Sequence, residues 1–293
     1  GFTELENRMI KEGVRNMNTV KKIICKVLIF LFIGTIIIIS VGPLLWVLFS
    51  SFKTNKEILS GSLGLPAAFN FDNYADALKI APIPQFYLNS IIVAVAATVL
   101  NVFLLSMAAY VIARFQWKGK TFFRLLFSVG LLIPGAALLQ PLYQTMIAMG
   151  LYDSLIGLIL VYIAFGLPTT IYVMSSYFMT IPKELEESAY LDGSGFFKTF
   201  SLIVIPIAKP ALGTAAVLEF LVAWNEFQFA LTLTASNSNR TLPIALYYFK
   251  SQFASNYGAM FAATILVIIP SIIVYIALQE QVVSGLSAGA VKA

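Results

Sequence analysis

The chain has 293 residues, 59% of them hydrophobic and 11% charged, and a soluble domain cannot hide that much apolar surface behind so few charges. With no histidine and a single cysteine, Cys25, a disulfide framework, a cysteine-type zinc site and His-based acid–base chemistry are set aside, and no catalytic residue or metal ligand is nominated. The formal charge of +5 is read by position, because Lys and Arg mark the cytoplasmic side of membrane proteins.

In chain order, residues 1–20 form a polar, unpatterned head that reads as an expression remnant or a misassigned start, with Met17 the alternative. Residues 21–293 are read as one domain. A bilayer core of about 30 Å asks for about 20 apolar residues per helix, and six runs meet that need. The first covers 27–52 and is too long for a cleavable signal core. The second covers 86–113, the third 125–150 and the fourth 154–180. The fifth, 202–233, alone carries charges, namely Lys209, Glu219 and Glu226; the sixth, 257–278, is uncharged.

With the N-terminus inside, the cytoplasmic segments hold Arg8, Lys11, Arg15, Lys21, Lys22, Lys26, Arg114, Lys118, Lys120, Arg124, Lys183, Lys198 and Lys292, against Lys53, Lys56, Lys79, Arg240 and Lys250 outside. That asymmetry puts both termini in the cytoplasm. It also puts the stretch EESAYLDGSGFFKTFSLIVIP, residues 186–206, on the cytoplasmic face between spans four and five. Pro182 and the carboxylates Glu184, Glu186 and Glu187 suit the first turn of a short helix, 182–191, at the positive end of its dipole. Gly193 supplies a left-handed stop, and Ser194 is expected to cap a second helix carrying Phe196, Phe197 and Phe200. Physics alone leaves this unit open between a knob fitted to a partner's cleft and an amphipathic connector on the membrane surface.

The run Glu187-Ser188-Ala189-Tyr190-Leu191-Asp192-Gly193-Ser194, followed by Phe200 and Pro206, resembles the EAA loop of ABC-importer permeases, with Ser188 and Ser194 where alanine is usual. SSFKTNKEI at 50–58, FNFDNYADAL at 69–78, FLVAWNEF at 220–227 and the final GLSAGAVKA narrow the resemblance to the carbohydrate-importer branch, the shorter maltose-type permease. The resemblance implies an all-α integral membrane protein of the type I importer permease fold. Six transmembrane helices would carry the coupling loop 181–199 between helices 4 and 5, an external loop 234–256 and a cytoplasmic tail 280–293. It implies a non-catalytic permease subunit, without a cofactor of its own, that moves a sugar delivered by an extracytoplasmic solute-binding protein. The implied partners are a second, different permease chain and two ATP-binding subunits that hold ATP and Mg2+, in the lipid of a bacterial or archaeal cell (inner) membrane, with no nucleic acid. ATPase coupling falls to Glu186, Glu187, Ala189, Leu191, Asp192, Gly193, Phe196 and Phe200. Binding-protein contact falls to Asn237, Ser238 and Asn239, and tail contact with the ATPase to Gly289 and Lys292.

Glu219 and Glu226 lie seven residues apart on nearly one helical face. They either line a translocation path with Trp224 and Asn225 or hydrogen-bond between helices. The resemblance gives Glu226 a positional role and does not lead one to expect a carboxylate at Glu219. Trp224, Tyr143, Tyr162 and Tyr172 offer flat faces for sugar rings, or are aromatics of the kind membrane spans commonly hold. Lys209, between Pro206 and Pro210, is expected to snorkel to the cytoplasmic interface. Two rivals remain. A proton-coupled secondary transporter needs buried titratable groups such as these two glutamates, and a membrane enzyme is weakened by the missing histidines and nucleophile motifs. No Walker motif occurs in the chain, so an ATPase would be a separate polypeptide.

Overall fold

The computed structural model describes residues 2–62, 64–252 and 256–290, with side chains described over 22–249, except 63, and over 256–280. Every regular element among them is helical. The long elements are α1 (Phe2–Ser50), α4 (Ile83–Arg114), α7 (Leu155–Phe178), α11 (Lys209–Asn225) and α14 (Tyr257–Ala290). Between them come α2 (Asn55–Leu59), α3 (Asp72–Ile80), α5 (Lys120–Gly130), α6 (Leu139–Ala148), α8 (Glu184–Leu191), α9 (Phe196–Thr199), α10 (Ile205–Ile207), α12 (Gln228–Leu233) and α13 (Ala245–Gln252).

Four stretches are long and apolar enough to cross a bilayer: Lys22–Ser50, Ile83–Arg114, Leu155–Phe178 and Tyr257–Glu280. Two bent pairs bring the number to six if each is one span. The run read as a continuous third span is broken between α5 and α6, which meet at 98°. Gly130, Pro134 and Gly135 fall within six residues there, and Pro134 takes an extended ψ of 125°, because proline cannot donate back to the preceding turn. Isolated Pro43, Pro168 and Pro270 are carried inside helices. The fifth run bends by 79° between α10 and α11, where Pro206 and Pro210 flank Lys209 and Ala208 leaves helical geometry at ψ 6°. Lys209 is exposed at this bend. The run breaks again at Glu226, which is extended at ψ 128°.

The bundle is built on α4, α7, α11 and α14. Its contacts run through small residues: Ala94 and Ala97 of α4, Ala211 and Ala215 of α11, and Ala259 and Ala262 of α14 are buried. In lipid no hydrophobic drive joins helices, so close approach across alanine and glycine supplies the packing. By contrast, none of the apolar stretch of α1 is buried against the rest; α1 makes contact near its end, where Trp46 meets Phe261 edge-on at 5.1 Å.

Polar clamps separate the two ends of the bundle. At one end the Asn73 amide donates to the carbonyls of Ser51 and Lys53, each at 2.8 Å. Asn89 donates to the carbonyls of Ser238 and Arg240, also at 2.8 Å. The segment 234–256, expected as a polar loop, contains a 3-10 turn (Leu242–Ile244) and α13. Leu242 and Ile244 are fully buried there, and the Leu242 N–H donates to Ser90 Oγ at 2.7 Å.

Candidate functional site

At the opposite end, α8 and α9 form the helix–turn–helix anticipated from EESAYLDGSG. The first helix begins at Glu184 rather than 182, with Lys183 as its N-cap. It ends in a Schellman closure: Ser194 N–H donates to the Ala189 carbonyl at 2.9 Å and Gly193 N–H to the Tyr190 carbonyl at 3.0 Å, with Gly193 at φ +80°. That φ is where glycine costs least. Ser194 therefore closes the first helix, and Gly195 precedes the second without a side-chain cap. A π-helical turn, Phe200–Val204, then leads toward the bend at Ala208.

The eight residues expected at this knob divide into two sets. Glu186, Ala189 and Phe200 are buried and Phe196 is half-buried, whereas Glu187, Leu191, Asp192 and Gly193 face outward. The tip is apolar, with Leu191 89% and Phe197 72% exposed. The root is held by α4. Glu186 Oε1 lies 2.6 Å from Arg114 Nε, the two side chains being 8% and 6% exposed. Tyr110 donates to Glu186 Oε2 at 2.7 Å, and Arg114 Nη2 donates to the Ile181 carbonyl at 2.5 Å. The Tyr110 ring is ringed by Phe115, Phe178, Phe196 and Phe200, with centroids 5.1–5.7 Å away.

Mid-bundle, Glu219 is 4% exposed and lies against Gly166 and the Asn101 amide. Asn101 accepts from Thr170 Oγ1 at 2.6 Å and donates to the Ile163 carbonyl at 3.2 Å. Trp224 is 1% exposed, donates to the Val267 carbonyl at 3.2 Å and packs between Tyr87 and Phe220. Glu226 caps α12, accepting from the N–H groups of Phe229 and Ala230 at 2.8 and 2.9 Å and from Tyr162 at 2.9 Å. Asn225 lines an open cavity of about 600 Å3 with Phe227, Leu246 and Tyr247. Thus, of the four residues expected on a path, Asn225 borders open space and the other three are packed or capping.

At the far end, Asn237 accepts from Tyr248, and Asn239 donates to the Asp153 carbonyl, both at 2.5 Å; Asn237 and Ser238 are exposed. Burial would raise the Asp153 pKa, but bonds from the N–H groups of Ala235 and Ser236, at 2.9 and 3.1 Å, outweigh it and hold the carboxyl below its ordinary range. Gly289 sits within α14, and Lys292 lies outside the described residues. Among the described residues, no group of three or more His, Cys, Asp or Glu could hold a metal ion.

Residues 105–287 match the family described as the binding-protein-dependent transport system inner membrane component. The trehalose transport system permease protein of Mycobacterium tuberculosis is 39% identical over 255 residues, 85% of this chain and 92% of that protein. The diacetylchitobiose uptake system permease protein of Streptomyces coelicolor is 36% identical over 254 residues, 86% of this chain and 84% of that one. The chain belongs to this permease family. A bacterial ABC transporter that imports the acidic polysaccharide alginate shares the fold, at a TM-score of 0.77 and 22% identity, covering 88% of this permease and 96% of that chain.

Two residues of this permease's knob escaped the sequence reading. Arg114 was read for its sign alone and Tyr110 was not singled out, although both sit in the last turns of α4 facing the loop. The available signal was a lone Arg closing a long apolar helix, together with one glutamate on the inner face of a short acidic helix. Asn101 and Thr170 were also missed, because single polar residues in spans are compatible with many partners.

Proposed function

We propose that this chain is the membrane-spanning, non-catalytic subunit of an ATP-driven importer of an oligosaccharide or related carbohydrate delivered by a solute-binding protein. The knob, whose charged root is buried while its apolar tip Leu191 and Phe197 is left open, is the observation that carries this reading. A tip of that kind, rimmed by Glu187 and Asp192, suits insertion into a cleft of a separate ATP-binding subunit that holds ATP and Mg2+. The sugar class is supported by relatives whose names specify trehalose and diacetylchitobiose. In this reading the knob faces the cytoplasm of a bacterial or archaeal cell, a second permease chain completes the pathway, and Asn225 borders it. Asn237 and Ser238 face the binding protein, and the tail near Gly289 and Lys292 reaches toward the ATPase.

Alternating access would follow as closure of the paired ATPases moves the knobs and shifts the population of inward- and outward-open states. The test is to purify the complex through a tag on this chain, reconstitute it, and ask whether trehalose, maltose or diacetylchitobiose with its binding protein stimulates ATP hydrolysis. Absence of retained ATPase subunits overturns the reading. Buried Glu219 favours one rival, proton-coupled transport; that rival requires uptake to stop on dissipating the proton gradient while ATP stays high.

A further inference from the structure

The chain's own connectivity ties the knob to α7 before it and to α10 and α11 after it. Nothing in that connectivity ties it to α4, yet its strongest polar attachments reach there. The Tyr110–Glu186 bond spans 76 residues of sequence and the Arg114–Ile181 bond spans 67. The Arg114–Glu186 ion pair joins the same two regions at 2.6 Å. Both charged side chains are more than nine-tenths buried, and Tyr110, which donates to Glu186, is itself boxed by aromatic rings.

Stability alone does not account for such a pair. Replacing a buried ion pair with apolar side chains of similar volume is often neutral or stabilising, whereas removing one partner strands a buried charge. What the pair adds is register. Apolar contact between aromatic rings is non-directional and permits sliding, whereas a buried ion pair flanked by two directional hydrogen bonds, from Tyr110 to Glu186 and from Arg114 to Ile181, has one low-energy arrangement. Arg114 grips the carbonyl of Ile181, just before the knob, and Glu186, inside its first helix, so rotation and translation of that helix relative to α4 are both resisted.

We propose that Arg114, Glu186 and Tyr110 form a latch that makes α8 and the end of α4 a single rigid unit, so that force on the knob is delivered directly to α4 as well as to its covalent neighbours. This rests on the reading of the knob as the ATPase-docking element. Arg114 and Glu186 are positioning residues in this scheme, and the outward face with Glu187 and Leu191 remains the docking surface.

The test uses the purified complex with its ATPase subunits in nanodiscs, in a Cys25→Ser background. Spin labels are placed at Lys183→Cys, at the start of α8, and at Phe103→Cys, exposed on α4. With the latch intact, the distance distribution is narrow and the same without nucleotide and with Mg-ATP plus vanadate. Glu186→Gln and Arg114→Met, with ATPase subunits still bound, broaden it about twofold and make it nucleotide-dependent, because one helix can now move without the other. The exchange R114E/E186R, which keeps the ion pair but loses the bond to Ile181, narrows the distribution part of the way back, which a general loss of packing would not allow. The latch is overturned if the single variants leave the distribution unchanged, if the exchange variant stays as broad as the singles, or if the latch-intact distance itself shifts with nucleotide, a measurement that requires no latch variant to fold. Failure of any ATPase subunit to co-purify overturns the docking reading instead, so the two failures are distinguishable.

Discussion

Gly193 sits at φ +80°, and a Cβ added there would meet nothing within 4 Å. A substitution is therefore strained by backbone conformation alone, at about 1–2 kcal/mol for a residue with a Cβ, with asparagine the best tolerated. Gly193→Val should misdirect the turn between α8 and α9 and reduce stimulation of ATP hydrolysis by sugar-loaded binding protein, while Gly193→Asn should stay near the parent; equal stimulation in both would refute this. Asp153 invites a different measurement. Its folded pKa is depressed by the N–H donors of the 235–236 backbone, so its stabilisation is present above the ordinary carboxylate value of about 3.9 and is lost as pH falls through the lower folded value. Asp153→Asn should lower the thermal midpoint at pH 7, and the gap to the parent should narrow on acidification below about pH 4. A gap that widens with acid would contradict the assignment.

Between elements, α7 leaves room for the Glu219 side chain of α11 at Gly166, where a Cβ would collide with the Glu219 carboxylate and the Asn101 amide. Gly166→Ala should cost about 1–3 kcal/mol by overpacking, read as a lower melting temperature of the purified complex. Adding Glu219→Ala should recover part of that loss, and strict additivity of the two changes would show that the pair is not in contact. The six apolar runs were legible in the sequence because length and freedom from charge are one-dimensional properties. The bends were less so: the runs break beside Pro134 and just before Pro210, while Pro168 stays inside α7 although Gly166 lies two residues before it, so proline and glycine positions alone do not tell a break from a continuous helix. The knob's helix–turn–helix was readable from Gly193, but its inside and outside were not. Glu186 and Glu187 are identical residues one position apart, and only Arg114, far away in sequence, decides which turns inward. Glu226 was read as lining a path or bonding between helices, and the structure has it capping α12, a task more often given to Ser, Thr, Asp or Asn.

For the whole molecule, the separation of its two ends is a physical claim about the bilayer. The clamps around Asp153, Asn89 and Asn73 gather one set of loops, and the Arg114–Glu186 pair gathers the other, with α4 reaching from Ile83 beside the first to Arg114 beside the second. At 1.5 Å per residue, the 32 residues of α4 extend about 48 Å, which exceeds a hydrocarbon core of about 30 Å, so α4 is long enough to hold the two ends in opposite aqueous phases. Positive charge favours the knob side as the cytoplasm. In Cys25→Ser cells, Asn237→Cys should react with a membrane-impermeant maleimide added outside. Gly195→Cys, in an open position of the knob, should react only after permeabilisation. The reverse pattern would invert the topology and detach the knob from any cytoplasmic ATPase, while reaction of both from outside would mean that α4 does not span. Because the two labels sit on opposite sides of the same four-helix core, one experiment tests the orientation on which docking, sugar delivery and the direction of transport all depend.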